Sequence, residues 1–309
     1  MKSIKVFAPA TVANVACGYD IMGFALEDIG DELIITQIDR PGLEIAEIHG
    51  AELSKKPDEN VVTVAVKALL DSLDEKPKSG FSFQLTKHVK PGSGLGSSAS
   101  SSAAAVFGVN QLLGEPYSTT ELVEFAMQGE NLASGVPHAD NVAPSLLGGF
   151  ILIRSYDPLD VIELYYPKDL YATVVHPQLE IKTSDAKKML RQQIELRDAI
   201  TQWGNVAGLV SGLAKGDYDL IGRSLHDVVA EPIRGILIPS LSEAKKRAVK
   251  AGALGCSISG SGPSIFAMSR GEDNAKAVAY EFKQLFQELG LEHNVYISGI
   301  NSKGTVILP

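Results

Sequence analysis

The hydrophobic pattern changes period between residues 80 and 115. Phe81, Phe83 and Leu85 alternate with Ser82, Gln84 and Thr86, the period-two signature of a strand with one buried face. Downstream, Ala103-Ala-Ala-Val-Phe-Gly-Val-Asn-Gln-Leu-Leu113 is an apolar run without proline, which predicts a helix with Gly114 at its C-cap. Upstream, Asn60 caps a predicted helix whose Val62, Val66, Leu69, Leu70 and Leu73 form a 3.6-period stripe. Ser118-Thr-Thr-Glu121 reads as a capping box, with Leu122, Phe125 and Ala126 as the buried face behind it. That helix runs toward Glu130, in or just past its last turn. Gly148-Gly-Phe-Ile-Leu-Ile-Arg154 predicts a strand and Ser155-Tyr-Asp-Pro158 a break.

The second half alternates elements in the same way. Strands are predicted at 170–175, 257–259, 265–268 and 294–298, and helices at 241–251 (closed by Gly252) and 275–289. A long helical region from about Ser184 to Ala214 carries Met189, Leu190, Ile194, Ile200, Trp203 and Leu209. No internal repeat is visible. The mixture predicts an α+β fold, with a boundary at the 155–158 break that divides the chain into domains 1–155 and 156–309.

Between the strand and helix around residue 90 lies Pro91-Gly-Ser-Gly-Leu-Gly-Ser-Ser-Ala-Ser-Ser-Ser102. Its glycines let the backbone turn sharply and approach an anion closely. The amides of Gly96 to Ala99 would stand at a helix N-terminus, where free donors and the macrodipole favour negative charge. The loop is not a Walker A motif, because Gly-Lys-Ser/Thr is missing, and not a Rossmann fingerprint, because Ser97 holds the third glycine position. A flexible Gly/Ser linker rarely runs straight into a good helix. The uncharged stretch from Lys90 to Glu115 is no membrane span either, since six serines and five glycines make it too polar for hydrocarbon. A phosphate cradle is the reading that remains.

Composition narrows the partners. The 309 residues carry 28 Lys and Arg against 37 Asp and Glu, a net charge of −9. Such a balance disfavours nucleic acid or an anionic membrane surface as main partner. Two cysteines, Cys17 and Cys256, make neither a disulfide framework nor a zinc site, which suits a reduced, cytoplasmic setting. Lys2 and Lys5 before Val-Phe-Ala imitate the start of a signal peptide, but Pro9, Thr11 and Asn14 interrupt any apolar core, so no targeting segment is expected.

The Pro-Gly-Ser-Gly-Leu-Gly-Ser-Ser-Ala run resembles the ATP loop of the GHMP small-molecule kinases. Ala8-Pro-Ala-Thr-Val-Ala-Asn-Val-Ala-Cys-Gly-Tyr-Asp20 and Gly255-Cys-Ser-Ile-Ser-Gly-Ser-Gly-Pro-Ser264 match further patches in the family's order. A fourth patch, Glu130 to Gly149, with His138-Ala-Asp-Asn141 inside it, is closest to the members that phosphorylate homoserine. The resemblance covers essentially the whole chain. It implies an N-terminal domain like ribosomal protein S5 domain 2, a ferredoxin-like C-terminal domain, and transfer of a phosphoryl group from ATP, with Mg²⁺, to a small alcohol. L-homoserine is the implied substrate; a mevalonate-type or sugar substrate, or a non-catalytic binding protein on the same fold, are the alternatives. A homodimer is carried as a further expectation.

Residue by residue, the resemblance places ATP at Pro91, Gly92, Ser93, Gly94, Leu95, Gly96, Ser97, Ser98, Ala99, Ser100 and Ser101. Ser98 and Glu130 would hold Mg²⁺, which favours a carboxylate with phosphate oxygens and water. Asp140 occupies the stretch where related kinases place an aspartate base, whereas the homoserine-specific members bring Asn141 near the reactive hydroxyl; the base stays open between Asp140 and none. A hydrolase triad around His138 has no support, because the chain has no Gly-x-Ser-x-Gly elbow. An amino-acid substrate offers an ammonium, a carboxylate and a hydroxyl. Asp20 would take the ammonium, Asn14 and His138 would line the substrate, and Arg234 would grip the carboxylate with its planar fork. Thr183 and Lys187 form a second such patch, where the family usually has Arg in place of Lys187.

Overall fold

The protein is described by a computed structural model that covers residues 2–179, 181, 186 and 188–309. Among the described residues, eleven strands form two sheets. The first contains β1 (Ser3–Ala13), β2 (Met22–Ile38), β3 (Leu43–His49), β4 (Gly80–Thr86), β5 (Phe150–Tyr156), β6 (Leu159–Leu164) and β11 (Val306–Leu308). Its pairs are antiparallel except β3 with β4. On β4 the alternation is met as expected: Phe81, Phe83 and Leu85 are fully buried.

Helices α1 (Val61–Asp71), α2 (Ser97–Leu112), α3 (Leu122–Ser134) and α4 (Val142–Leu147) share a core with this sheet, built on Leu33, Ile35, Phe83, Val66 and Val106. Asn60 accepts from the Val62 amide at 3.0 Å, so the predicted cap of α1 is present. The capping box also forms. Ser118 N donates to Glu121 Oε2 at 2.7 Å, but regular helix starts only at Leu122 and runs past Glu130 to Ser134. The expected break at 155–158 is the turn of a hairpin, because β6 pairs back on β5 and continues the first sheet.

The second sheet has the order β10 (His293–Ser298), β7 (Leu170–Pro177), β9 (Ile265–Arg270), β8 (Ala253–Ile258), with all neighbours antiparallel. In chain order this is 4-1-3-2, the ferredoxin-like split βαβ arrangement. Helices α5 (Leu196–Lys215), α6 (Tyr218–Ser224), α7 (Glu231–Arg234), α8 (Leu241–Lys250) and α9 (Glu272–Glu288) complete it. The long predicted helix is shorter than expected. Glu195 is extended (φ −67°, ψ 141°) and α5 begins at Leu196, with Ser184 outside the described residues. Met189 and Ile194 satisfied the helical spacing but lie before α5, outside regular helix, and are exposed.

The two sheets share a second core. Phe24 stacks on Phe150 with ring centroids 5.2 Å apart and meets Phe266 of β9 edge-on at 6.1 Å. Val12, Val174, Leu209 and Leu213 complete this layer, which fixes one half of the chain against the other.

Candidate active site

Residues 87–96 link β4 to α2, with the glycine-rich stretch running straight into the helix as the sequence implied. Gly92, Gly94 and Gly96 all have positive φ, and Gly96 is the N-cap of α2 at φ 65°. A Cβ on Gly94 would come within 2.6 Å of the Ser259 carbonyl oxygen. No side chain caps α2, so its first-turn amides stay available to an anion. The serines divide by role. Ser97 Oγ donates to the Val89 carbonyl at 2.7 Å, and Ser100 and Ser101 donate to Asp31 at 2.8 and 3.1 Å. Ser98 lines the cleft, and its hydroxyl makes no hydrogen bond among the described residues. The side chains of Leu95 and Ala99 turn into the two cores.

Beneath the loop lies an ion pair that sequence reasoning missed. Lys87 Nζ pairs with Asp31 and also donates to the Ser97 carbonyl (2.6 Å) and Ser101 Oγ (2.9 Å). Asp31 further accepts the amides of His88 and Val89 at 3.0 and 3.2 Å. Both side chains are buried. Burial lowers the Lys87 pKa, while Asp31 and Glu130 oppose that shift. A signal was present: Lys87 extends the inward phase of Phe81, Phe83 and Leu85, and Asp31 shares the inward phase of Leu33 and Ile35.

Residues 14–20, between β1 and β2, take a rare backbone. Asn14, Val15, Ala16 and Asp20 all have positive φ, from 39° to 69°. Asn14 holds the loop: its Oδ1 accepts from Asp20 N at 2.9 Å and its Nδ2 donates to the Gly260 carbonyl at 2.8 Å. Asp20 Oδ1 stands 3.6 Å from His138 Nδ1. The Tyr156 hydroxyl donates to the Asp20 carbonyl at 2.7 Å and accepts from Ala139 N at 3.3 Å, tying this loop to residues 138–141. Asp140 is buried there, and burial together with the neighbouring Asp20 and Glu130 charges raises its carboxyl pKa well above the ordinary 3.8. Glu130, on α3, is also buried.

Arg234 closes the arrangement from the other half. It is 3% exposed, and among the described residues no carboxylate pairs with it. Its Nε and one terminal nitrogen donate to the carbonyls of Ala186 and Gly260 at 3.3 and 3.4 Å, and the other lies 3.3 Å from the Tyr19 hydroxyl. The guanidinium sits 5.0 Å from the Tyr19 ring centroid. Burial and Asp20 push the Tyr19 hydroxyl up to about 12.

Asn14, Asp20, Glu130, His138, Asp140, Asn141 and Arg234 line one cleft of about 520 Å³ with the glycine-rich loop, and Leu53, Val61 and Leu132 add apolar wall. Thr183 and Lys187 lie outside the described residues. The buried Arg234 guanidinium faces the same space as the Asp20, Glu130 and Asp140 carboxylates, which suits a zwitterion. Among the described residues, no cluster of three or more His, Cys, Asp or Glu could hold a metal by itself, and no helix is long and apolar enough to cross a membrane.

Residues 60–149 match the GHMP kinases N terminal domain, and residues 209–288 match GHMP kinases C terminal. The chain is 46% identical to a homoserine kinase of Chloroherpeton thalassium, covering all of both chains. It is 38% identical to a homoserine kinase of Pyrococcus abyssi over 95% of this chain and 96% of that one. The crystal structure of a homoserine kinase from Cytophaga hutchinsonii superposes with a TM-score of 0.96 at 49% identity, covering 100% of this chain and 98% of that one.

Proposed function

The chain belongs to the GHMP kinase family, within it to the homoserine kinases, and we propose how its cleft moves the γ-phosphoryl group of ATP onto the side-chain hydroxyl of L-homoserine. The hydroxyl oxygen forms a bond to the γ-phosphorus as the bond to the ADP oxygen breaks, and the hydroxyl proton leaves. The products are ADP and O-phospho-L-homoserine, on the route to threonine. Such a transfer asks for positioning and charge stabilisation more than covalent help.

The first-turn amides of α2 hold the β- and γ-phosphates, with the apolar wall at Leu53 and Leu132 left for the base. Arg234 takes the substrate carboxylate, and Asp20 takes its ammonium. Asn141 orients the reactive hydroxyl. Asp140 receives the proton, because its raised pKa makes the ionised carboxyl a stronger base than an ordinary aspartate. One buried carboxylate and one uncommitted hydroxyl, Glu130 and Ser98, fit Mg²⁺ and would hold it together with phosphate and water oxygens; bound there, it would neutralise phosphate charge. We place this work in the cytoplasm.

The observation that carries the substrate reading is Arg234, a buried cation that pairs with no carboxylate among the described residues. A sugar or other neutral acceptor has no use for it. The test is ADP release coupled to a spectroscopic readout over homoserine, mevalonate, galactose and shikimate. Homoserine should be turned over far above the rest, and equal turnover of a neutral acceptor would overturn the assignment.

A further inference from the structure

Gln202 links the two segments that carry opposite substrate charges. It lies on α5, beside a stretch where Leu196, Ile200 and Trp203 face solvent, yet its own amide group is fully used. Nε2 donates to the Cys17 carbonyl at 2.8 Å and to Asp227 Oδ1 at 2.9 Å, and Oε1 accepts from Val228 N at 3.0 Å. Cys17 stands three residues before Asp20 in the left-handed loop. Asp227 is 5% exposed and accepts the amides of Val229, Ala230 and Glu231 at 2.8, 3.1 and 2.7 Å, shaping the chain into α7, whose last residue is Arg234.

Neither Gln202 nor Asp227 lines the cleft. We infer that they are positioning residues: the Gln202–Asp227 pair sets the separation of Asp20 from Arg234, and so selects an acceptor whose ammonium and carboxylate are spaced as in a 2-amino acid. Bonds within each segment do not fix that separation; at the cleft itself Arg234 meets the Tyr19 hydroxyl at 3.3 Å and shares the Gly260 carbonyl with Asn14, and the Gln202 amide is the tie between the two segments that stands behind the cleft. Gln202 supplies donors to both at once, from a helix anchored in the shared core by Leu209 and Leu213. The inference rests on the proposed roles of Asp20 and Arg234.

The experiment compares Gln202→Met and Asp227→Asn, singly and together, with Arg234→Lys as reference. Two acceptors are used with the intact chain: homoserine, and 3-aminopropan-1-ol, which is homoserine without its carboxylate. Gln202→Met should raise the homoserine KM roughly five- to tenfold, the scale of one or two lost hydrogen bonds, with the ATP KM nearly unchanged. Preference for homoserine over 3-aminopropan-1-ol should fall by about the same factor, and the double variant should be less than additive. A merely structural role would lower the thermal midpoint and slow both acceptors alike. Unchanged preference in Gln202→Met, with preference lost in Arg234→Lys, overturns the positioning role and leaves the substrate reading intact. Unchanged preference in Arg234→Lys overturns that reading, and the inference with it. Should Asp227→Asn fail to fold, Gln202→Met alone decides.

Discussion

The hydroxyl of Thr11 donates to the side-chain carbonyl of Asn141 at 2.7 Å, and these two oxygens crowd the face of Gly96. A Cβ at Gly96 would stand 2.1 Å from Thr11 Oγ1 and 2.8 Å from Asn141 Oδ1. One glycine therefore lets a strand, the phosphate loop and the proposed acceptor-orienting residue meet.

Gly96→Ala should lose both stability and turnover. The left-handed backbone and the overpacking together cost about 2–4 kcal/mol. Displacing Asn141 and the loop should lower kcat about 100-fold, because misplacement of reacting groups by an ångström has that effect. Thermal unfolding and ADP release check the two losses separately.

Lys87→Met should destabilise the protein by about 3–5 kcal/mol, since it strands the buried Asp31 carboxylate without its cation. Denaturant titration measures this. A midpoint unchanged from the parent would mean that the pair contributes nothing to holding the loop.

Glu130→Gln keeps the shape of the side chain and removes its charge. The fold should persist, while kcat falls about 100-fold or more, the size of losing one electrostatic partner of the transferring group. A Mg²⁺ titration is the decisive measurement, for normal turnover at limiting Mg²⁺ would remove Glu130 from the metal site.

Asp140→Asn separates proton acceptance from orientation. A fall in kcat of about 100-fold, with loss of the acid limb of the pH profile, is expected of a general base; near-normal kcat would leave Asp140 an orienting role. The same variant changes stability with a definite sign. In the native protein the raised pKa means that Asp140 binds its proton more tightly than in the unfolded chain, so ionisation costs stability as pH rises through the native value. Asp140→Asn should therefore melt higher than the parent at pH 8. The gap should close as pH falls to the ordinary carboxylate value of 3.8.

Arg234→Lys keeps a charge but gives up the planar fork. The homoserine KM should rise about tenfold or more while the ATP KM holds, on the scale of a lost charge-assisted hydrogen bond. Lys187→Ala, alone and combined with it, tests whether a second cation shares the carboxylate. Unchanged homoserine KM in all three would refute the carboxylate assignment.

Local signals made the shape of the glycine-rich loop legible: a period-two strand, glycines at 92, 94 and 96, and an apolar helix behind them. The cap of α1 and the Ser118–Glu121 box just before α3 were legible for the same reason, being bonds between residues two or three apart. What escaped was long-range. Asp31 and Lys87 are 56 residues apart, and each alone reads as a surface charge. Gln202 reads as a polar residue on a solvated helix face until Cys17 and Asp227 are brought to it. The start of α5 was misread because apolar spacing at Met189 and Ile194 carries no information on what lies opposite. The Ser155–Pro158 break was visible, but whether the chain turns back or moves on depends on a pairing with β5 that period alone does not encode.

Residues 299–308 return to the first sheet. Gly149 N donates to the Asn301 carbonyl at 2.6 Å, Thr305 N donates to that of Leu146 at 3.1 Å, and β11 pairs with β1 from Lys5 to Phe7. During synthesis, the edge of β1 thus waits for almost three hundred further residues before its partner leaves the ribosome. The half of the molecule that is made first is sealed last, and an unpaired strand edge is the hazard of that interval. Lys5 lies on that waiting edge, beside Glu32 at 2.8 Å, and a charge there discourages another chain from pairing in its place.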